Sequence, residues 1–267
     1  RMYHQAALLI EPIKNWITHI EFNYSTMNED VDETSLPCYN HDVEGNIIDT
    51  SGDTSLFGSH KKENYLNLNI FSEYSHSFDD RHNLKVMMGF QAEEMKQAFQ
   101  SVKKYGLVVN GLPEFDLTTG SDGYGNPKNT EVAGYHNEWA TAGFFGRVNY
   151  DYEGRYLAEM NMRYDGTSRF RRGDRWQLYP SFSLGWNMAR EKFWEPFTDI
   201  SNTLKLRASY GELGNQNTNV WYPTYRAMTL GSFDGNWLQN GSKPNTSKVG
   251  DLVSSTLTWE TIRTWNL

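Results

Sequence analysis

The run Ala140-Thr141-Ala142-Gly143-Phe144-Phe145-Gly146-Arg147-Val148-Asn149-Tyr150-Asp151-Tyr152 decides how this chain folds. Its even positions are small, apolar or tyrosine. Its odd positions carry Thr141, Arg147, Asn149 and Asp151. A period of two puts the two sets on opposite faces of a strand. The run outlasts the ~5–6 residues usual for a strand in a sandwich and fits the ~9–11 that cross a bilayer at a tilt. In a sandwich the apolar face is core and the polar face meets water, whereas in a membrane barrel the apolar face meets lipid and the polar face lines the lumen.

The pattern recurs downstream. Tyr156, Ala158, Met160, Met162 and Tyr164 alternate with Arg155, Leu157, Glu159, Asn161, Arg163 and Asp165. Trp176 to Met188 and Leu204 to Gly211 repeat it, and weaker versions run over Trp16–Tyr24, Tyr65–His76, Asn83–Glu93 and Leu257–Leu267. Gln5–Ile10 adds a further candidate strand, turning at Pro12. Aromatics collect at segment ends, among them Trp139, Tyr150, Tyr152, Tyr156, Tyr164 and Trp176, as in an interfacial girdle.

Connections alternate in length. Those around Asp79–His82 and Asp151–Arg155 are tight, and Arg190 to Asn202 is compact. Ser25 to Asn64, Lys96 to Gly134 and Glu212 to Thr256 are long, and Gly166 to Arg175 is intermediate. The fold expected is therefore all-β: part of a transmembrane antiparallel β-barrel of about eight or nine strands, with short periplasmic turns and long extracellular loops. An open sheet leaves unpaired edges in lipid, so further strands are expected to close it.

Composition agrees. Of 267 residues 38% are hydrophobic, yet aromatics reach 15%, with 16 Tyr and 9 Trp. Such side chains suit an oil–water interface better than a core built on Leu, Ile and Val. A net charge of −8 argues against nucleic acid as a partner. Cys38 is the single cysteine, so no intrachain disulfide or thiolate cluster is available; it is expected in a surface loop.

Particular residues then narrow the class. Phe144-Phe145-Gly146-Arg147-Val148-Asn149-Tyr150-Asp151-Tyr152 followed by Arg155-Tyr156-Leu157 resembles the SusC/RagA-type TonB-linked outer-membrane proteins. Arg163-Tyr164-Asp165-Gly166-Thr167-Ser168-Arg169-Phe170 is similar to that family's R-x-D-G-[ST]-S-R-F segment, and Tyr179-Pro180-Ser181-Phe182-Ser183-Leu184-Gly185-Trp186 to its [FY]-P-S-x-S-x-x-W strand. Leu204-Lys205-Leu206-Arg207-Ala208-Ser209-Tyr210-Gly211 with Gly214-Asn215-Gln216, and Leu257-Thr258-Trp259-Glu260 with Trp265-Asn266, resemble two further blocks. Before Trp139 the likeness is only of style, in Pro12-Ile13-Lys14-Asn15-Trp16 and Gly89-Phe90-Gln91-Ala92-Glu93.

The resemblance implies a 22-stranded barrel plugged by an N-terminal domain. It also implies import of glycans or oligopeptides powered by the TonB complex, and a SusD-like surface lipoprotein as lid. On this reading residues 1–267 are a middle part of the barrel domain, with plug, TonB-contacting region and C-terminal strands outside them. The location implied is the Gram-negative outer membrane, with its lipid as a further partner. The alternative is a soluble or surface-attached β-sandwich that recognises glycans.

No catalytic constellation stands out: there is no HExxH, Walker loop or GxSxG, and an enzyme is not expected. The seven His lack a recognised ligand spacing, and neither metal nor cofactor is expected. Glu29, Asp30, Asp32 and Glu33 read as a solvated acidic loop, lacking the central Gly of a calcium-binding EF-hand. Gly120, Gly123 and Gly125 read as turn formers.

Arg147, Glu159, Arg163 and Arg207 are expected on the lumenal face. There they serve plug or substrate, or simply join an interstrand ion-pair ladder, the blander account and the one favoured. Asp165 to Phe170 is assigned a structural role. Trp221, Tyr222, Tyr225 and Trp237 in the long loop after Glu212 are the candidate substrate contacts, by stacking on sugar rings. Loop packing or contact with a lipoprotein lid accounts for them equally well.

Overall fold

The computed structural model describes residues 1–197, 199–231, 238–244 and 246–267. Its strands in chain order are β1 (Met2–Ile13), β2 (Trp16–Ser35), β3 (Cys38–His41), β4 (Ile47–Ser51), β5 (Ser55–Phe78), β6 (His82–Tyr105) and β7 (Glu131–Tyr152). They continue as β8 (Tyr156–Thr167), β9 (Trp176–Asn187), β10 (Lys205–Asn215), β11 (Met228–Gly231), β12 (Thr246–Val249) and β13 (Glu260–Asn266). Among the described residues nine strands form one sheet in the order β1-β2-β5-β6-β7-β8-β9-β10-β13, and β3/β4 and β11/β12 are separate hairpins. The order is a meander, in which neighbours in sequence pair in space. Gln5–Ile10 is indeed strand, inside β1.

Two compact units divide the chain. The larger holds 5–23, 67–94 and 139–267. Its register carries the alternation across strands: Tyr164, Met162, Met160 and Ala158 of β8 stand opposite Phe144, Gly146, Val148 and Tyr150 of β7. The same four stand opposite Leu178, Pro180, Phe182 and Leu184 of β9. Leu184 and Phe182 in turn meet Ala208 and Tyr210 of β10. On the other face Asn149, Glu159, Ser183 and Ser209 share a row. The apolar face is exposed, with Phe144, Met160, Leu184 and Leu206 all open. No second sheet covers it among the described residues, which removes the sandwich alternative.

Turn chemistry sets the short connections. Arg155 N–H bonds Tyr152 O at 2.8 Å around Glu153 and Gly154, and Arg81 N–H bonds Phe78 O at 3.1 Å around Asp79 and Asp80. All four central residues have φ between 50° and 66°. That is the primed turn whose twist matches antiparallel strands. The first turn falls at Lys14-Asn15, with Asn15 at φ 68°, and not at Pro12 as the sequence led us to expect. Pro12 stays in β1, next to its last residue Ile13, where a missing N–H interrupts little of the ladder.

The smaller unit comprises 1–4, 24–66 and 95–138. Here strands outrun the boundaries that alternation marks, since β2, β5, β6 and β7 continue through segments read as loop. Glu29, Asp30, Asp32 and Glu33 accordingly lie on β2, not in a loop, with Asp30 2.5 Å from His60 Nδ1. A backbone ladder satisfies itself whatever the side chains' polarity, so a ribbon with two wet faces carries no period-two signal. Long connections remain at 36–54, 106–130 and 216–259.

Two tips share one local design. In Asp42-Val43-Glu44-Gly45-Asn46 the Asp42 carboxylate accepts the N–H groups of Glu44 and Asn46 and the Asn46 amide, at 3.0, 2.7 and 2.9 Å. Asp122-Gly123-Tyr124-Gly125-Asn126 repeats this at 2.9, 2.8 and 3.0 Å. Gly45 and Gly125 supply the positive φ. These bonds, the Asn side chain's foremost, hold both aspartates below the usual carboxylate range. Cys38 is free and exposed on β3.

Candidate functional site

The polar face of the larger unit is the site that the sequence singled out, and the register places Arg147, Glu159, Arg163 and Arg207 together on it. Arg147 Nε donates to Asn161 Oδ1 at 2.5 Å. Asn161 Nδ2 donates to Glu159 Oε1 at 2.8 Å, and Asn149 Nδ2 to Glu159 Oε2 at 2.9 Å. Arginine and carboxylate are thus joined through an amide rather than directly. Arg163 pairs with Asp165 two residues along its own strand at 2.9 Å and reaches Gln91 at 3.5 Å. Lys85 pairs with Glu73 at 2.9 Å between β6 and β5. Alternating charge and amide of this kind is stable against water, not oil.

Within that polar face runs a stripe that sequence reading did not find. His19 of β2 stacks on Phe71 of β5 with centroids 4.4 Å apart and planes 8° off parallel. Phe71 meets Phe145 of β7 at 6.5 Å, and the Arg163 guanidinium lies 5.5 Å above the Phe145 ring. Between β5 and β7 stands β6, and there the facing residue is Gly89. A Cβ on it would lie 2.3 Å from Phe145 Cζ and 2.7 Å from Phe71 Cβ. The glycine is what allows two rings from non-adjacent strands to meet. An isolated Gly in an alternating run was the available signal.

The R-x-D-G-T-S-R-F block forms a knot at the rim. Phe170 is 1% exposed beneath Trp259, at 5.8 Å edge-on, and Tyr179 meets the same indole at 5.8 Å. Trp259 Nε1 donates to Arg175 O at 2.7 Å, and Arg175 Nε to Phe170 O at 2.9 Å. Thr224 is fully buried, its hydroxyl donating to Arg169 O at 3.2 Å while its carbonyl accepts from Arg171 Nη2 at 3.1 Å. Three of the sequence blocks thus converge on one small core, which is the structural role assigned to Asp165–Phe170.

The aromatic loop candidates separate. Trp221 is half-buried, with the Arg169 guanidinium 6.0 Å over its ring and 5.6 Å over Trp139. Its ring thus has a cation beside it within the loop region. Tyr222 and Tyr225 remain 42% and 52% exposed. Trp237 lies outside the described residues. No group of three His, Cys, Asp or Glu among the described residues is arranged to hold a metal. No helix among them is long and apolar enough to cross a membrane, which says nothing of strands.

A twisted antiparallel meander with one face of exposed aliphatic and aromatic side chains and one of charges and amides is the wall of a membrane β-barrel. The family profile described as TonB dependent receptor-like, beta-barrel, matches residues 11–267, and the chain belongs to that family of outer-membrane proteins. It is 30% identical over 207 residues to TonB-dependent receptor P3 of Formosa agariphila, covering 77% of this chain and 19% of the relative. It is 32% identical over 136 residues to TonB-dependent receptor SusC of Bacteroides thetaiotaomicron, covering 51% and 13%. Among solved structures it is similar to the RagAB peptide transporter, with a TM-score of 0.76 at 20% identity over 97% of this chain and 27% of the other. The SusC/RagA likeness read from five sequence blocks is therefore upheld. The chain spans about a fifth or less of the length of these curated relatives.

Proposed function

We propose that this chain is a section of barrel wall in a TonB-dependent nutrient importer, a middle part of a barrel that further strands close around a plug. The polar face is then the lumenal lining, with Arg147, Glu159, Arg163 and Arg207 exposed to whatever fills or passes the lumen. The observation that carries this reading is the segregation of faces across β7–β10. A wall polar within and apolar without suits passage of a hydrated solute through lipid. The substrates are glycans or oligopeptides. Trp221, Tyr222 and Tyr225 are the described candidates among the loop aromatics for stacking on them. A SusD-like lipoprotein supplies the lid, and the TonB complex engages a region outside this chain.

The test is growth and uptake. A strain in which the gene is deleted, grown on a panel of oligosaccharides and peptides, loses uptake of one class, and a TonB-deficient strain loses the same class. Unchanged uptake across the panel, or loss that does not depend on TonB, contradicts the proposal.

A further inference from the structure

The connection from β9 to β10 has substance of its own among its described residues. Two 3-10 turns, Met188–Arg190 and Lys192–Phe197, fold it. Its first anchor is Glu191. Oε1 accepts the Tyr156 hydroxyl at 2.6 Å and the Trp186 indole N–H at 3.1 Å, and Oε2 accepts Arg155 Nη1 at 3.4 Å. Tyr156 and Trp186 are paired residues on the apolar face. The connector is therefore drawn toward the outside of the wall, not over the polar side.

Its apolar residues continue that outer face. Phe193 stands edge-on to Trp186 at 6.3 Å and is 53% exposed. Phe197, 49% exposed, packs on Trp194 at 5.4 Å, and Ile200 is 85% exposed. On the same wall an open groove of about 920 Å³ runs over Ala158 and Ala208 between Tyr150, Tyr156, Trp186 and Leu206. A water-facing turn has no reason to expose two phenylalanines and an isoleucine beside an aromatic girdle. The same segment carries exposed Arg190, Lys192, Glu195 and Asp199, so apolar bulk sits beside mixed charge, which suits the boundary between acyl chains and zwitterionic headgroups.

We propose that Met188–Phe197, with Ile200 beyond it, forms a membrane-seated foot. Phe193, Phe197 and Ile200 enter the acyl region of the periplasmic leaflet, and the partner is a diacyl phospholipid. Glu191 is a positioning residue that ties the foot to the girdle. The proposal rests on the apolar face meeting lipid, as the proposed function has it.

The experiment places single spin labels at positions 193, 197 and 200, with Cys38 replaced by Ser, in the complete protein. The protein is reconstituted into phosphatidylethanolamine–phosphatidylglycerol bilayers, and accessibility to oxygen is compared with that to a water-soluble nickel chelate. Labels at Leu184, on the apolar face, and at Tyr124, on a loop tip, are the references. The oxygen-to-chelate ratio at 193 and 197 is expected several-fold above that at 124 and on a level with 184. Ratios at 193, 197 and 200 matching 124 while 184 stays in lipid overturn the foot alone. A ratio at 184 matching 124 overturns the barrel orientation itself. Three label positions guard against a single label that disturbs the fold.

Discussion

Replacing Gly89 by Ala puts a methyl group into the aromatic stripe of the polar face. The added Cβ falls about an ångström short of ordinary van der Waals distance from Phe145 Cζ, which is a ring tip free to swing. It also crowds Phe71 Cβ, which is fixed to the backbone of β5 and moves only if the strand moves. Overpacking of this kind costs ~1–3 kcal/mol. Against it stands the ~0.4–1 kcal/mol that alanine contributes by restricting the unfolded chain. The net expectation is a loss of about 1–2 kcal/mol. Gly146 on the apolar face is the control, because a Cβ there meets only Met87 O at 3.5 Å. Gly146→Ala is expected to be neutral or slightly stabilising. Phe145→Leu in the Gly89→Ala background restores part of the loss, since the two sites are coupled. The assay is denaturant unfolding of the protein in phospholipid vesicles, read by tryptophan fluorescence and heat-modifiable electrophoretic mobility. Equal stabilities of the Gly89→Ala and Gly146→Ala proteins would refute the claim that Gly89 is there to let Phe71 and Phe145 meet.

Three further outcomes follow from the same structure. Phe170→Ala empties the rim knot and is expected to cost about 3 kcal/mol, the low end for a buried Phe because the surrounding cluster is small; thermal melting checks it, and a loss under about 1 kcal/mol sinks the idea that this block is structural. Glu191→Ala removes the acceptor shared by Tyr156, Trp186 and Arg155, so the mobility of a spin label at position 193 should rise; unchanged mobility contradicts the anchoring role. Asp122→Ala unties its loop tip, so limited proteolysis at 123–125 should speed up while barrel stability stays level; an unchanged cleavage rate contradicts the role given to its hydrogen bonds.

The sequence told most where one face of a strand meets oil. From Ala142 to Tyr210 the apolar residues of the alternation that fall in paired strands lie on the face foretold, while Met188 enters a 3-10 turn and Leu204 precedes β10; lipid and water impose opposite demands on successive side chains. Where both faces are wet the demand vanishes, and β2 through Glu29–Glu33 was read as loop. Pro12 draws the expected turn two residues early, because nothing in the sequence shows that strand pairing carries β1 on to Ile13. On the polar face, parity found Arg147, Glu159, Arg163 and Arg207, but their partners were invisible: Asn161 stands between Arg147 and Glu159, a matter of register and side-chain reach. Nothing in the sequence brings Arg169 to the Trp221 ring either. Glu191 was missed for a similar reason, since its three partners come from two strands and a turn.

The central claim is that odd and even positions of β8 meet different solvents. Single cysteines at 158, 160 and 162 and at 159, 161 and 163, in intact protein in outer membranes with Cys38 replaced by Ser, decide it by reaction with a water-soluble maleimide. The account predicts labelling at 159, 161 and 163 and protection at 158, 160 and 162, with protection lost in denaturant. Equal labelling of both sets, or the reverse alternation, would contradict it.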